Sequence, residues 1–526
     1  MNEEDASFEI KYCKVFPPIG VARVGNSPDE FFIGPEAPGI LPDAGGTFKD
    51  RRGRVKRQAA RFRVYGFGEG GEVTELTVDH SAVASIEWKV SLANTKAAWY
   101  EFGGADLVAH ILRGTPSDEK KLRNPDVVGA ERTKLSIGPV TGATKGANAE
   151  PQGLEADFTA PPSDEKRRVR LGELRTDNAG RLLVLGGLGD SDTVWPENPV
   201  TNYANNNGWH DDVSDGPVEV EVTSKDGGKI PIRGRGWIIV APPHFSPHTE
   251  NVVTVYDVLA EIAVEHALDW DVRELGPKPA PAVSFTRDVY PILKRLTDYQ
   301  WLSARAHRGH APDKRGDFFS PETIKKLASV DEAKKPGSIH KAIFNRLRTP
   351  IIHPPFDTIK KSDACLLDPA SQEAVNQANL TYMPPLSGDE GDVIMGEPKT
   401  WLSVTETQYR RLARWKEGDF TEDWNGVLAE PSAFDGIPVP DQPAALTRAA
   451  LEACQGGAFY PGIEITSIVR YREFYSEAFR VADNYQPGDI TKWMALPWQA
   501  DFSDCYDHWW PSIRPDDVVP NWQLED

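Results

Sequence analysis

Cysteine and methionine are scarce in this chain of 526 residues, with four of each. Cys13, Cys365, Cys454 and Cys505 lie far apart and form no CxxC pair. That spacing argues against a cysteine-rich zinc or iron–sulfur site and against a disulfide scaffold. Long apolar runs are also missing: none approaches the ~20 residues of a membrane helix. The N-terminus, MNEEDASFEIKY, is acidic where a secretory leader is basic and then apolar. The default expectation is a cytoplasmic protein without a membrane partner, with export by a non-classical route left open. Positive charge is in deficit, 59 Lys and Arg against 79 Asp and Glu, for a net −20. Such a chain disfavours nonspecific binding to nucleic acid. Neither GxxxxGK[ST] nor a GxGxxG opening a βαβ unit occurs, so no phosphate-cradling loop is expected.

What the chain does have is turn formers and aromatics: Gly 44, Pro 43, Trp 15, Phe 21 and Tyr 14. The fold class they predict is α+β, a β-rich and largely antiparallel portion over residues 1–250, then a more helical portion over 251–526 that carries the site. Strands are expected around the diproline of KYCKVFPPIGVARVG (Lys11–Gly25), in RFRVYGF (Arg61–Phe67), and in Val73–His80 and Ser85–Asn94. VRLGELRTDNAGRLLVLGG (Val169–Gly187) predicts two strands about a turn at Asp177–Gly180. Gly114–Gly153 is polar and rich in Gly, Pro and Lys, and is expected to be a long surface excursion. The basic run Arg51–Arg57 is expected to be a solvated strand edge. Helical spacing appears at Val252–Leu268, Val289–Ser303 and Ser403–Gly418, the last with Thr405 as N-cap and Gly418 as stop.

Four constellations carry candidate chemistry. NNNGWHDDVSDGP (Asn205–Pro217) packs His210, Asp211, Asp212 and Asp215 closely. A hydrogen-bonded structural turn, a substrate-facing loop with His210 as a binding group, and a metal site are all open. Tyr382 precedes a diproline in an acidic loop and is a second candidate for substrate binding. In EACQGGAFYPGIEITS, Gly456 and Gly457 permit close backbone approach, and Glu464 reads as a paired acid or a functional one. Finally, PWQADFSDCYDHWWPSIRPD sets Asp501 four residues before Cys505 inside a tryptophan cluster. On a helix the two share a face. A carboxylate there raises a thiol's pKa, so a protease-type thiolate is not expected; a buried structural cysteine, a redox or covalent role and a metal ligand remain open.

Taken together, VFPPIGVARVGNS, KRQAARFRVYGF, GELRTDNAGRLLVLGG, NGWHDDVSDGPV, LSVTETQYRRLARWKEGDF, CQGGAFYPGIE, LPWQADFSDC and WWPSIRPD resemble, in order, the L-lysine ε-oxidase and glycine oxidase family of cysteine tryptophylquinone enzymes. The resemblance implies an oxidase of free amino acids that releases ammonia and hydrogen peroxide. Its cofactor would be a cysteine tryptophylquinone built from the protein's own side chains. Cys505 would be the thioether cysteine and Asp501 the acid assisting biogenesis. The quinone tryptophan would be Trp522 or one supplied by a separate C-terminal segment. A flavoprotein maturation partner and a homo-oligomer are also implied, and no metal. A cofactorless family scaffold that binds an amino-acid-like ligand or a partner protein is the alternative.

Overall fold

The computed structural model describes residues 8–102, 111–112, 114, 120–278, 282–350, 381–384, 402–427, 431–456 and 463–500. Among the described residues, fifteen strands fill the first half: β1 (Tyr12–Phe16), β2 (Ile19–Arg23), β3 (Phe31–Ile33), β4 (Arg57–Phe67), β5 (Val73–Leu76), β6 (Val83–Asn94), β7 (Ile137–Lys145), β8 (Gln152–Phe158), β9 (Arg167–Thr176), β10 (Leu182–Gly186), β11 (Ser191–Thr193), β12 (Trp209–Asp211), β13 (Ser214–Ser224), β14 (Ile232–Gly234) and β15 (Gly236–Ala241). The main sheet runs β7-β6-β13-β15-β2-β4-β10-β9-β8, with β1, β3, β5 and β14 added at its sides. Its two ends, β7 and β8, lie against one another, so the sheet curls into a near-barrel. Most pairings are antiparallel; β2 with β15 is a parallel exception.

Period-two alternation sets the two faces. On β15, Ile238 and Val240 point into the barrel with Phe62, Trp88, Leu171 and Val184. Their neighbours Trp237, Ile239 and Ala241 point the other way, against the helices. Each fully buried large apolar side chain contributes about 1.5–3 kcal/mol. The four longest described helices are α1 (Val255–Glu265), α2 (Tyr290–Asp298), α3 (Glu406–Lys416) and α4 (Gln442–Glu452). Thr254 and Thr405 close capping boxes on α1 and α3. Gly418, at φ +75°, ends the turn after α3 as expected.

Three sequence expectations are corrected. Gly114–Gly153 is not a loose excursion: it contains a 3₁₀ segment at Gly129–Leu135, all of β7 and the start of β8. The basic run is only half solvated. Arg51 and Arg52 are exposed, whereas Arg57 is fully buried and pairs with Glu173 at 3.2 Å. Val73–His80 is strand only as far as Leu76.

Candidate functional site

Strand direction gathers several of the candidate motifs of the sequence at one rim. The registers Arg23↔Ala241, Arg23↔Gln58, Ser214↔Val240 and Asp215↔Ala93 bring the ends of β2, β15 and β6 together with the starts of β4 and β13. Arg23 and Ser214 are two strands apart, or roughly 10 Å at ~4.8 Å per strand.

Asn205–Asp215 is a clamp on the segment that leads into Asp501 and Cys505. Asp215 accepts from Thr491 N (2.7 Å), Thr491 Oγ1 (2.6 Å), Ile490 N (3.2 Å) and Trp237 Nε1 (3.1 Å). Asn206 Nδ2 donates to Leu496 O at 3.0 Å. Asp211 Oδ2 accepts from Trp498 N at 2.9 Å and from Lys96 Nζ at 2.8 Å. Lys96 Nζ also donates to Ala495 O at 2.9 Å, and Arg123 Nη2 to Met494 O at 2.9 Å. Lys96, Arg123, Asp211 and Asp215 are all fully buried. Charges removed from water at such cost are stable only when paired or well hydrogen-bonded: Lys96 and Asp211 pair with each other, while Asp215 is held by neutral donors and Arg123 by carbonyl and amide oxygens. The same burial pushes Asp215 up to about 6, the Thr491 and Ile490 donors opposing it. It pulls Arg123 down to about 10.

Asp212 faces the other way. Its Oδ2 accepts from Gly189 N at 2.7 Å and Asp190 N at 3.0 Å, while its Oδ1 has no partner among the described residues. Burial pushes this carboxyl up to about 8.

A second buried pair stands at the same rim. Arg23 Nη2 meets Glu464 Oε1 at 2.7 Å, and Gln455 N donates to Glu464 Oε2 at 3.3 Å. Glu464 is thus a paired acid. Burial raises its pKa against the lowering effect of Arg23. Cys454, buried beside them, donates to Ala450 O at 3.2 Å, and its thiol pKa is pushed well up by burial. The close approach expected of Gly456 is real: a Cβ there would stand 2.2 Å from Thr254 O.

The residues singled out in the sequence do not all meet. His210 is 1% exposed on β12, its ring 5.0 Å from that of Phe158; Asp190 Oδ2 lies 3.9 Å from Nε2, and among the described residues neither ring nitrogen has a hydrogen-bond partner. That is the environment of a packed side chain. Tyr382 is 40% exposed, with the Arg348 guanidinium 5.7 Å from its ring centre. Asp501, Cys505 and Trp522 lie outside the described residues. Among the described residues, no group of three or more His, Cys, Asp or Glu could hold a metal ion, and no helix is long and apolar enough to cross a membrane. Lys96, Arg123 and Arg23 were not foreseen as site residues. Isolated basic residues carry no local sign that they will be buried.

Residues 16–240 match the family L-lysine epsilon oxidase N-terminal, and residues 384–522 match the L-lysine epsilon oxidase C-terminal domain. The L-lysine 6-oxidase of Marinomonas mediterranea is 30% identical over 93% of this chain and 70% of its own length. The chain belongs to the L-lysine ε-oxidase family. The solved ε-lysine oxidase of M. mediterranea superposes with a TM-score of 0.68 at 27% identity, over 93% of this chain and 75% of that one. The Schiff base intermediate of the same organism's enzyme with L-Lys also aligns at 0.68, with 26% identity over 94% and 75%. The fold is therefore that of this family, a curled antiparallel sheet followed by helices.

Proposed function

We propose that this family member oxidises the primary amine of a free amino acid, converting amine, water and oxygen into a carbonyl compound, ammonia and hydrogen peroxide. Membership of a family that includes an L-lysine 6-oxidase, and likeness to an enzyme solved as a Schiff base with L-Lys, support this reading. The cofactor would be a cysteine tryptophylquinone joining Cys505 to a tryptophan, Trp522 or one from a separate segment. When formed, it supplies an electrophilic carbonyl and accepts two electrons from the substrate.

The observation that carries the proposal is the clamp. Main-chain groups of Met494, Ala495, Leu496 and Trp498 are each held by a buried side chain. The chain therefore enters Asp501–Cys505 from a fixed position, which suits a crosslink needing sulfur and ring within bonding reach. In this reading Asp501 accepts a proton during biogenesis. Asp211 and Lys96 position the segment without touching substrate. A flavoprotein maturation partner and a homo-oligomeric assembly belong to the same proposal.

Peptide mapping of protein matured beside its natural gene neighbours tests it. The expected result is a thioether-linked Cys505 and an oxidised tryptophan. A free, alkylatable Cys505 with no oxidised tryptophan would leave the cofactorless scaffold in its place.

A further inference from the structure

A small cavity lies between the first turn of α1 and the chain on either side of Glu464. Its volume is about 10 Å³, and Val255, Val258, Gln455, Thr466, Ser467 and Arg470 are among the residues that line it. One water needs about 10–15 Å³ of such space. The cavity therefore has room for a single small molecule and little more.

Three of the lining side chains carry a buried polar atom with nothing to bond. Gln455, Thr466 and Ser467 are 2%, 4% and 4% exposed, so bulk solvent does not serve them. Gln455 Nε2 donates to Gly456 O at 2.5 Å, which leaves Oε1 as an acceptor without a donor among the described residues. Thr466 Oγ1 and Ser467 Oγ have no hydrogen-bond partner there either. Thr466 stands at the N-cap of the 3₁₀ turn Ser467–Arg470, yet its hydroxyl does not cap that turn. Buried polar groups in native proteins are overwhelmingly hydrogen-bonded, because an unmade bond leaves the desolvation cost uncompensated. The walls cannot easily close on the three atoms, since main chain fixes them. Gly456 N donates to Val253 O at 2.9 Å and Val255 N to Cys454 O at 3.1 Å. Three such atoms around one cavity point to a shared partner.

The chemistry of the walls selects that partner. One carbonyl-type acceptor and two hydroxyls call for a molecule that both donates and accepts. A cation is opposed by Arg470, and none of the described lining residues is a carboxylate. An anion would face the lone pairs of Gln455 Oε1. An apolar molecule would satisfy none of the three atoms.

We propose that Gln455 Oε1, Thr466 Oγ1 and Ser467 Oγ hold one buried water molecule. It donates to Gln455 Oε1 and exchanges hydrogen bonds with the two hydroxyls, about three contacts in all, as is usual for such a water. The water ties Gln455 to Thr466 and Ser467 across the segment that carries Glu464. Glu464 Oε2 accepts from Gln455 N at 3.3 Å, and its Oε1 meets Arg23 at 2.7 Å. The site thus braces the chain that presents Glu464 to Arg23, a positioning role that does not depend on the oxidase reading.

Crystallography and unfolding of the full chain test it. High-resolution crystals should show one water peak within ~2.7–3.2 Å of all three oxygens. No peak there overturns the proposal, and so does an anomalous peak at the site after soaking with rubidium or bromide, which would assign it to an ion. Thr466→Val keeps the side chain's shape and removes the hydroxyl. With the water in place, one hydrogen bond is lost and the unfolding equilibrium constant should rise about fivefold to tenfold. A hydroxyl that truly lacked a partner would be better removed, so a variant as stable as the unaltered chain, or more so, overturns the proposal. Should Thr466→Val fail to fold, the density in the unaltered chain still decides.

Discussion

Two buried ion pairs stand at the same rim, and they do different work. Lys96 and Asp211 meet at 2.8 Å with neither side chain exposed. Each also holds main chain of the 495–498 segment. Arg23 and Glu464 meet at 2.7 Å and are almost as buried. Arg23, however, borders a cavity, and its guanidinium also donates to the carbonyls of Pro242 and Ala453 and to Cys454 Sγ. The first pair is sealed and fixes where a chain segment goes. The second shapes the wall of a space. Burial lowers the Lys96 pKa and raises that of Glu464, so both pairs oppose the same desolvation.

The comparison breaks most sharply under single substitutions of the sealed pair. Lys96→Met or Asp211→Ala leaves one charge buried and unmatched. Each should cost on the order of 3–5 kcal/mol in denaturant unfolding. Glu464→Gln keeps a hydrogen-bond acceptor for Arg23, and water can reach the cavity side. It should cost about 1.5–3 kcal/mol. Equal losses in the two cases would erase the distinction drawn between them.

A third test concerns pH at the clamp's outer face. Asp212 has its pKa raised from 3.8 to about 8. A raised carboxyl binds its proton more tightly in the folded chain than in the unfolded one. Its stabilising contribution is therefore full below about pH 4 and is lost as pH rises through about 8. Asp212→Asn keeps an acceptor for Gly189 and Asp190 but does not titrate. Unfolding curves from pH 5 to 8 should fall less steeply in the variant, and parallel curves would contradict the assignment. The smallest effect is expected at α3, where Thr405→Ala removes the helix cap and should cost ~1 kcal/mol.

Local signals made much of the fold legible. The hairpin of β9 and β10 about Asp177–Gly180, the capped α3 and the close approach at Gly456 all follow from residues adjacent in sequence. The Gly114–Gly153 region misled because β7, IGPVTGATK, is built of small residues and alternates in exposure rather than in hydrophobicity. The density of Asn205–Asp215 was visible, and a hydrogen-bonded structural role was among its readings. Its partners were not visible, since Asp211 reaches Lys96 across 115 residues and Trp498 across 287. Long-range pairing of lone charges leaves no periodicity to read.

The central claim is that the buried clamp positions the chain for cofactor formation at Cys505. The direct measurement is thioether yield at Cys505, by peptide mapping, in the double variant Lys96→Met with Asp211→Leu. Replacing both charges by apolar groups keeps the volume filled and spares the fold, while removing the contacts to Ala495 O and Trp498 N. The account predicts a folded protein, by circular dichroism, whose crosslink yield falls well below that of the unaltered chain. A folded double variant with full crosslinking would contradict it.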